Sequence, residues 1–190
     1  MEVIKQYTVR PLEEKDLHII LDWRNSDKVH SQMLTDHKIT WDEHYGWFQR
    51  MKEQTVKRNL VFEYQGEPIG YIGYTEYDEE NHTCSPGAYL GAVENLPPEA
   101  ALCLFYVSVD YPFNHLGMVQ LNTDVFSDNT RALKLDTLLG YDIVREQDHY
   151  VTKNGVERLT YRLIITKEKW NKQKEKVSKY FPFLKNFIYV

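Results

Sequence analysis

From Pro97 to Phe113 the chain carries only two charged side chains, Glu99 and Asp110, in a run otherwise rich in Ala, Leu, Val and aromatic residues. At helical spacing these residues leave no polar stripe, so the helix needs apolar partners on more than one side. The run is too short to cross a bilayer. Its partner must therefore be a sheet, and the neighbouring segments supply one. Leu60–Tyr64 and Ile69–Tyr77 read as strands joined by Gln65-Gly66-Glu67-Pro68. Ala88–Leu90 reads as a third short strand and Met118–Phe126 as another, on the far side of the helix.

The remaining elements extend this layer. Tyr7–Arg10 alternates as a strand and ends at Pro11, and Glu13–Asn25 sets Leu17, Ile20 and Leu21 at helical spacing. Thr40 and Glu43 form a capping box ahead of a helix with His44, Trp47, Phe48 and Met51 on one face. Ser127-Asp128-Asn129 caps a helix that stops at Gly140. Tyr141–Glu146 and Arg158–Ile165 read as a final hairpin, with its tight turn at Asn154-Gly155. The order β-α-α-β-β-β-α-β-α-β-β predicts an α/β (α+β) fold, a mixed, mostly antiparallel central sheet flanked by helices. Residues 1–166 form the domain, and residues 167–190 form a basic helix and an apolar tail.

Charge narrows the function classes. The net charge is −5, but residues 167–190 hold seven Lys and two Glu, which leaves −10 on the rest. An acidic body argues against nucleic acid, which needs a dense cationic footprint. The first residues lack the apolar core of a signal peptide, so a cytoplasmic location is expected. Cys84 and Cys103 read as reduced thiols, and the seven scattered His make no metal site. In the tail, Phe181, Phe183, Leu184, Phe187, Ile188 and Val190 are expected to pack on the domain or on a second subunit as a homodimer. The rival reading is attachment to an anionic membrane surface, without a membrane span.

Asn129-Thr130-Arg131-Ala132-Leu133, followed by Leu139-Gly140-Tyr141, resembles the segment N-x-x-A-x-x-x-Y-x-x-x-G-F of the GNAT N-acyltransferases. The pair Trp23-Arg24-Asn25 and Glu43-His44 is similar to the amino-terminal half of the subfamily that acetylates UDP-linked amino sugars of the pseudaminic acid type. That resemblance implies acetyl-CoA as donor and a small-molecule nucleotide sugar as acceptor. Read from the residues, Arg24 can fork onto a phosphate, Asn25 can read a sugar hydroxyl, His44 lies in a first helical turn, and Trp47 can stack on a base. Each also has a plainer reading: a helix-end cation for Arg24, a partly buried histidine for His44, core packing for Trp47. The resemblance puts the oxyanion-holding amide at Leu90, Gly91 or Ala92 and assigns Asn129 to the donor side. Glu76, His44 and Tyr89 are the groups the topology could aim at the reacting amine. Glu76 is expected to share a face with Tyr74, and its plainer reading is a solvated strand residue.

Two departures fall on the donor side. The family's glycine-rich pyrophosphate loop aligns with Leu96–Ala101, where Pro97 and Pro98 have no amide hydrogens and Glu99, with Glu94 nearby, adds negative charge. The family's tyrosine, the usual proton donor to the departing thiolate, aligns with Asp136. With the ordinary carboxyl pKa of about 4, Asp136 would be ionised and unable to donate. The expected function is therefore an N-acyltransferase with an altered acyl-CoA site. The alternative is a non-catalytic protein of the same fold that binds a sugar nucleotide or regulates.

Overall fold

Gln65-Gly66, both at positive φ, turn the chain between β2 (Asn59–Tyr64) and β3 (Glu67–Asp78), and this hairpin anchors the sheet. The computed structural model describes residues 7–54, 58–91, 94–185 and 188–189. β1 (Tyr7–Pro11) lies antiparallel to β2, and β3 antiparallel to β4 (Thr83–Leu90). β4 then runs parallel to β5 (Gln120–Phe126), which pairs antiparallel with β8 (Val156–Thr166). β6 (Asp142–Ile143) and β7 (His149–Lys153) both pair with β8. Among the described residues, β9 (Ile188–Tyr189) completes a nine-stranded sheet, parallel to β1.

The apolar helix α4 (Ala100–His115) crosses one face of this sheet, with Cys103, Leu104, Val107 and Phe113 fully buried against Phe62, Ile72 and Leu121. The other face is covered by α1 (Leu17–Asn25) and α3 (Trp41–Gln54), whose Leu17, Ile20, Trp23 and Phe48 enclose Val61. The pleat explains the division: Leu60 and Phe62 point to the first core and Val61 to the second. Both cysteines are free and buried, and burial pushes each thiol up to about 12, so they behave as packing residues. Among the described residues no helix is long and apolar enough to cross a membrane.

Several boundaries differ from the sequence reading. β4 is longer than Ala88–Leu90, because Pro86-Gly87 looks like a strand breaker. The amide of Gly91 points to β3, donating to Ile69 O at 2.9 Å, so amide directions alternate back along β4 and position 86 faces β5. Pairing between β4 and β5 stops at Cys84–Leu121, so no ladder donor is needed at Pro86. α4 starts at Ala100 rather than Pro97, because Pro97-Pro98-Glu99 form a preceding turn in which Ala100 N donates to Pro97 O at 3.0 Å. A short helix, α2 (Asp27–His30), capped by Ser26, follows α1 directly. The last hairpin is β7–β8, with Asn154 and Gly155 both at positive φ as a two-residue turn requires.

The tail packs on the domain. In α6 (Lys167–Tyr180), Trp170 and Val177 are both buried, as their seven-residue spacing implies. Trp170 Nε1 donates to Asp110 Oδ1 at 2.9 Å, Lys174 Nζ donates to the same oxygen at 2.7 Å, and Tyr189 Oη donates to Asp110 Oδ2 at 3.2 Å. Leu184 is buried, while Phe187 and Val190 lie outside the described residues. Through α6 and β9 the described part of the tail is thus integrated with the domain rather than appended to it.

Candidate active site

Because β4 and β5 pair only at Thr83–Gln120 and Cys84–Leu121, the two strands splay beyond that point. The splay opens a cavity of about 730 Å³, bounded by α2 and the loop after it, by the β4 edge from Ser85 to Leu90, and by α5 (Thr130–Leu139). Thr123 Oγ1 bridges its narrow end to Pro86 O at 3.3 Å. The alternation that turns Gly91 N toward β3 turns Leu90 N toward the gap. Leu90 lines the cavity and Gly91 does not. Gly91 instead admits an indole: a Cβ there would lie 2.3 Å from Trp23. Ala92 falls outside the described residues. Of the two described positions expected to hold an oxyanion, Leu90 is the one whose amide faces the open edge.

Leu96, Pro97, Pro98 and Ala101 form the wall where a pyrophosphate grip was expected, and the two prolines present no N–H there. Glu99 is not on that wall; its Oε1 accepts from Tyr7 Oη at 3.3 Å, which corrects the expectation that its charge sits in the anion site. Asn129 lines the cavity while its Oδ1 accepts from Ala132 N at 3.3 Å, capping α5.

At the opposite end, the Arg24 side chain leaves the last turn of α1 and lines the cavity beside Lys28. Its Nη1 is buried without a hydrogen-bond partner among the described residues, and desolvation holds its pKa below the ordinary value, with the phenols of Tyr89 and Tyr71 nearby. A cation so placed is incomplete without an anion. Asn25, expected to read substrate, is engaged elsewhere: Nδ2 donates to Ile39 O at 2.7 Å and Oδ1 accepts from Ile39 N at 2.8 Å. His44 and Trp47 do not line the cavity. His44 is buried and stacked on Trp47 at 5.2 Å, and burial lowers its pKa, so it is neutral at pH 7. Trp47 packs at the edge of the second core.

Sequence reading missed what closes this end. The β7–β8 hairpin reaches over and staples the loop after α2: buried Lys153 donates to Thr35 O and lies 3.3 Å from His30 Nε2, and Arg158 donates to Ser31 O at 2.7 Å. Lys153 and Arg158 come from a segment more than a hundred residues away, and only the sheet register brings them here.

Glu76 and Tyr74 do not share a face. A bulge between Thr75 and Asp78 puts Glu76 at φ 47°, so Tyr74 enters the core while Glu76 stands exposed on the cavity rim, 3.7 Å from Arg162. A positive φ at a non-glycine residue is a strained conformation of the sort that collects at functional sites. Tyr89 lines the cavity, and burial pushes its phenol well above the ordinary range, so it can donate a hydrogen bond but not act as a base. Asp136 is also on the wall, and here the sequence expectation is overturned. It is buried, and desolvation pushes its carboxyl up to about 7.

Residues 6–142 match the sequence model of the family described as the Acetyltransferase (GNAT) domain. The Campylobacter jejuni protein called acetyltransferase PseH is 26% identical over 133 residues, covering 70% of this chain and 81% of that one. Among solved structures, spermidine N-acetyltransferase from Vibrio cholerae, in complex with CoA and spermine, superposes with a TM-score of 0.79 at 20% identity. The alignment covers 87% of this chain and 98% of that one. The yncA protein of Salmonella typhimurium, with its cofactor acetyl-CoA, gives a TM-score of 0.69 at 16% identity over 85% and 94% of the two chains.

Proposed function

The chain belongs to the GNAT family of acetyltransferases, and on that footing we propose that it moves an acetyl group from acetyl-CoA to the amino group of a nucleotide-linked sugar. The observation that carries the acceptor is Arg24 beside Lys28 on the cavity wall, half-buried, with its Nη1 buried and without a hydrogen-bond partner among the described residues. Such a pair favours a phosphate, which Arg can grip with two parallel hydrogen bonds. It disfavours a polyamine, whose positive charges Arg24 and Lys28 would repel, although the Vibrio neighbour acts on spermidine. The similarity to PseH points the same way.

In this reading Leu90 N holds the carbonyl oxygen as charge develops on it. Glu76, on the strained bulge at the rim, takes the proton of the incoming ammonium, and Tyr89 hydrogen-bonds the acceptor. Asn129, with an amide nitrogen not used by its cap, lies along the donor arm.

The cavity fits the donor unevenly. The open edge of β4 suits an extended acyl chain, as neighbours holding CoA or acetyl-CoA imply, whereas Leu96–Ala101 lacks amides for a pyrophosphate. Acetyl-CoA should accordingly bind weakly by calorimetry, and a glycine-rich replacement of Leu96–Ala101 should tighten it. A low-micromolar dissociation constant for the natural loop would show that the phosphates are held elsewhere.

The acceptor reading is tested with Arg24→Ala. Loss of a charge-assisted hydrogen bond costs about 1.5–3 kcal/mol, or roughly ten- to hundredfold in affinity. UDP-, CMP- and dTDP-sugars should be titrated against wild type and variant, with circular dichroism to check the fold. A wild type that ignores every nucleotide sugar, or a variant that binds equally well, removes the reading.

A further inference from the structure

We propose that Arg158 is a positioning residue for acetyl transfer. It ties the loop at the acceptor end of the cavity to the turn that starts α5, and so fixes where a full-size acceptor sits relative to the thioester. The proposal rests on the acetyl-transfer reading above, but not on which amine is the acceptor.

The two walls that Arg158 joins both line the cavity. Gln32, Met33, Leu34 and Thr35 line it from the loop after α2, and Phe126 and Asn129 line it from the end of β5 and the start of α5. Arg158 Nη1 donates to Ser31 O at 2.7 Å, at the root of the loop. Its Nη2 donates to Asp128 Oδ1 at 2.6 Å, beside the Asn129 cap. The guanidinium carbon lies 3.7 Å from the centroid of the Phe126 ring, a third contact that holds the head group in place. A planar fork can serve two walls at once, whereas an ammonium is a single point of charge.

The turn does not depend on Arg158. Ser127 N continues the ladder to Leu159 O at 2.9 Å, and Asn129 caps α5. The loop does depend on it. Val29 and His30 are buried, but Ser31, Gln32 and Asp36 are exposed and Leu34 is 42% exposed, so the loop has little core of its own. It hangs instead on the hairpin, through Arg158 at Ser31, Lys153 at Thr35 O, and Asn154 N at Asp36 Oδ1, 2.6 Å away. Register explains why. Val151 stands opposite Arg158, and Lys153 lies two residues beyond Val151, so Arg158 and Lys153 share the face turned to α2. The Asp128 side chain is 68% exposed, and an ion pair in that setting adds little stability. What Arg158 supplies is position.

The test compares Arg158→Gln and Arg158→Lys with wild type. Hydrogen exchange by mass spectrometry is read first, with no ligand added. The amides of Ser31, Gln32 and Met33 donate back to α2 at 3.0–3.1 Å; they should exchange faster in both variants, while those of α5 should not change. Transfer from acetyl-CoA is then measured to UDP-, CMP- and dTDP-linked amino sugars, to spermine and to hydroxylamine. For the larger amine that wild type acetylates, kcat/KM should fall roughly a hundredfold in Arg158→Gln, the cost of misplacing a bound group by about 1 Å. The KM for acetyl-CoA should stay as in wild type, as should the rate with hydroxylamine, which offers the loop nothing to hold. Tm should fall by less than about 4 °C, as for an exposed ion pair. General damage to the fold would instead lower all of these together. Arg158→Lys keeps the charge but not the fork and should recover little of the loss. Unchanged exchange in the loop, equal effects on the larger amine and hydroxylamine, or full recovery in Arg158→Lys overturns the proposal. A wild type that acetylates spermine but no sugar, with the same split, leaves the inference standing and removes the acceptor reading. A wild type that acetylates neither sinks both.

Discussion

Replacing Trp170 with Ala should destabilise the protein by about 3–5 kcal/mol, the range for deleting a large aromatic side chain from a packed core. Trp170 is fully buried, its ring stands edge-on to Tyr106 at 5.2 Å, and its Nε1 is one of four side-chain donors, with Asn114, Lys174 and Tyr189, that converge on buried Asp110. Removing it opens a cavity and weakens the compensation of that carboxylate. Denaturant unfolding measures the change; a loss below about 1 kcal/mol would mean that the basic helix rests on the domain without stabilising it. Trp170→Phe, which restores most of the volume but not the N–H, should recover the greater part.

Gly91→Ala should be nearly as harmful and more telling for the site. The new methyl would meet the Trp23 ring at 2.3 Å, closer than any real contact, and neither the indole nor the β4 backbone can retreat far. Overpacking of this kind costs about 1–3 kcal/mol. The shift would also be felt at Leu90, whose amide faces the cavity. Misplacing a reacting group by about 1 Å can lower turnover roughly a hundredfold, so kcat should fall in protein that remains folded at low temperature. Full activity in Gly91→Ala would dissociate this corner of the sheet from catalysis.

How much of this was legible beforehand depends on the range of the forces involved. Periods of two and 3.6 located β2, β3, α3 and α4, because those elements bury one or more faces completely. The Thr40–Glu43 capping box and the Asn129 and Gly140 caps are local and were read correctly. β4 was cut short because Pro86 is tolerated only where a neighbouring strand has departed, which is a property of the sheet. Arg24 was read from its place at a helix end and lines the cavity, whereas Asn25, also expected to read substrate, has its amide taken up by Ile39 fourteen residues on. His44 was misjudged because a histidine in a first helical turn looks the same whether it faces a ligand or a tryptophan. Asp136 was the instructive case. Its ionisation was inferred from a reference value measured in water, and the structure removes the water.

The pairing of β1 with β9 sets a schedule for the growing chain. Thr8 and Val9 are made about 180 residues before their partners Ile188 and Tyr189. At ~5–20 residues per second, the outer edge of β1 waits roughly 10–40 s for its partner. Over that interval it is an open template for any other extended peptide. A ribosome that stalls before α6 would therefore release a chain with both an unfilled pocket over Asp110 and an unprotected strand, a form suited to chaperone capture or to aggregation.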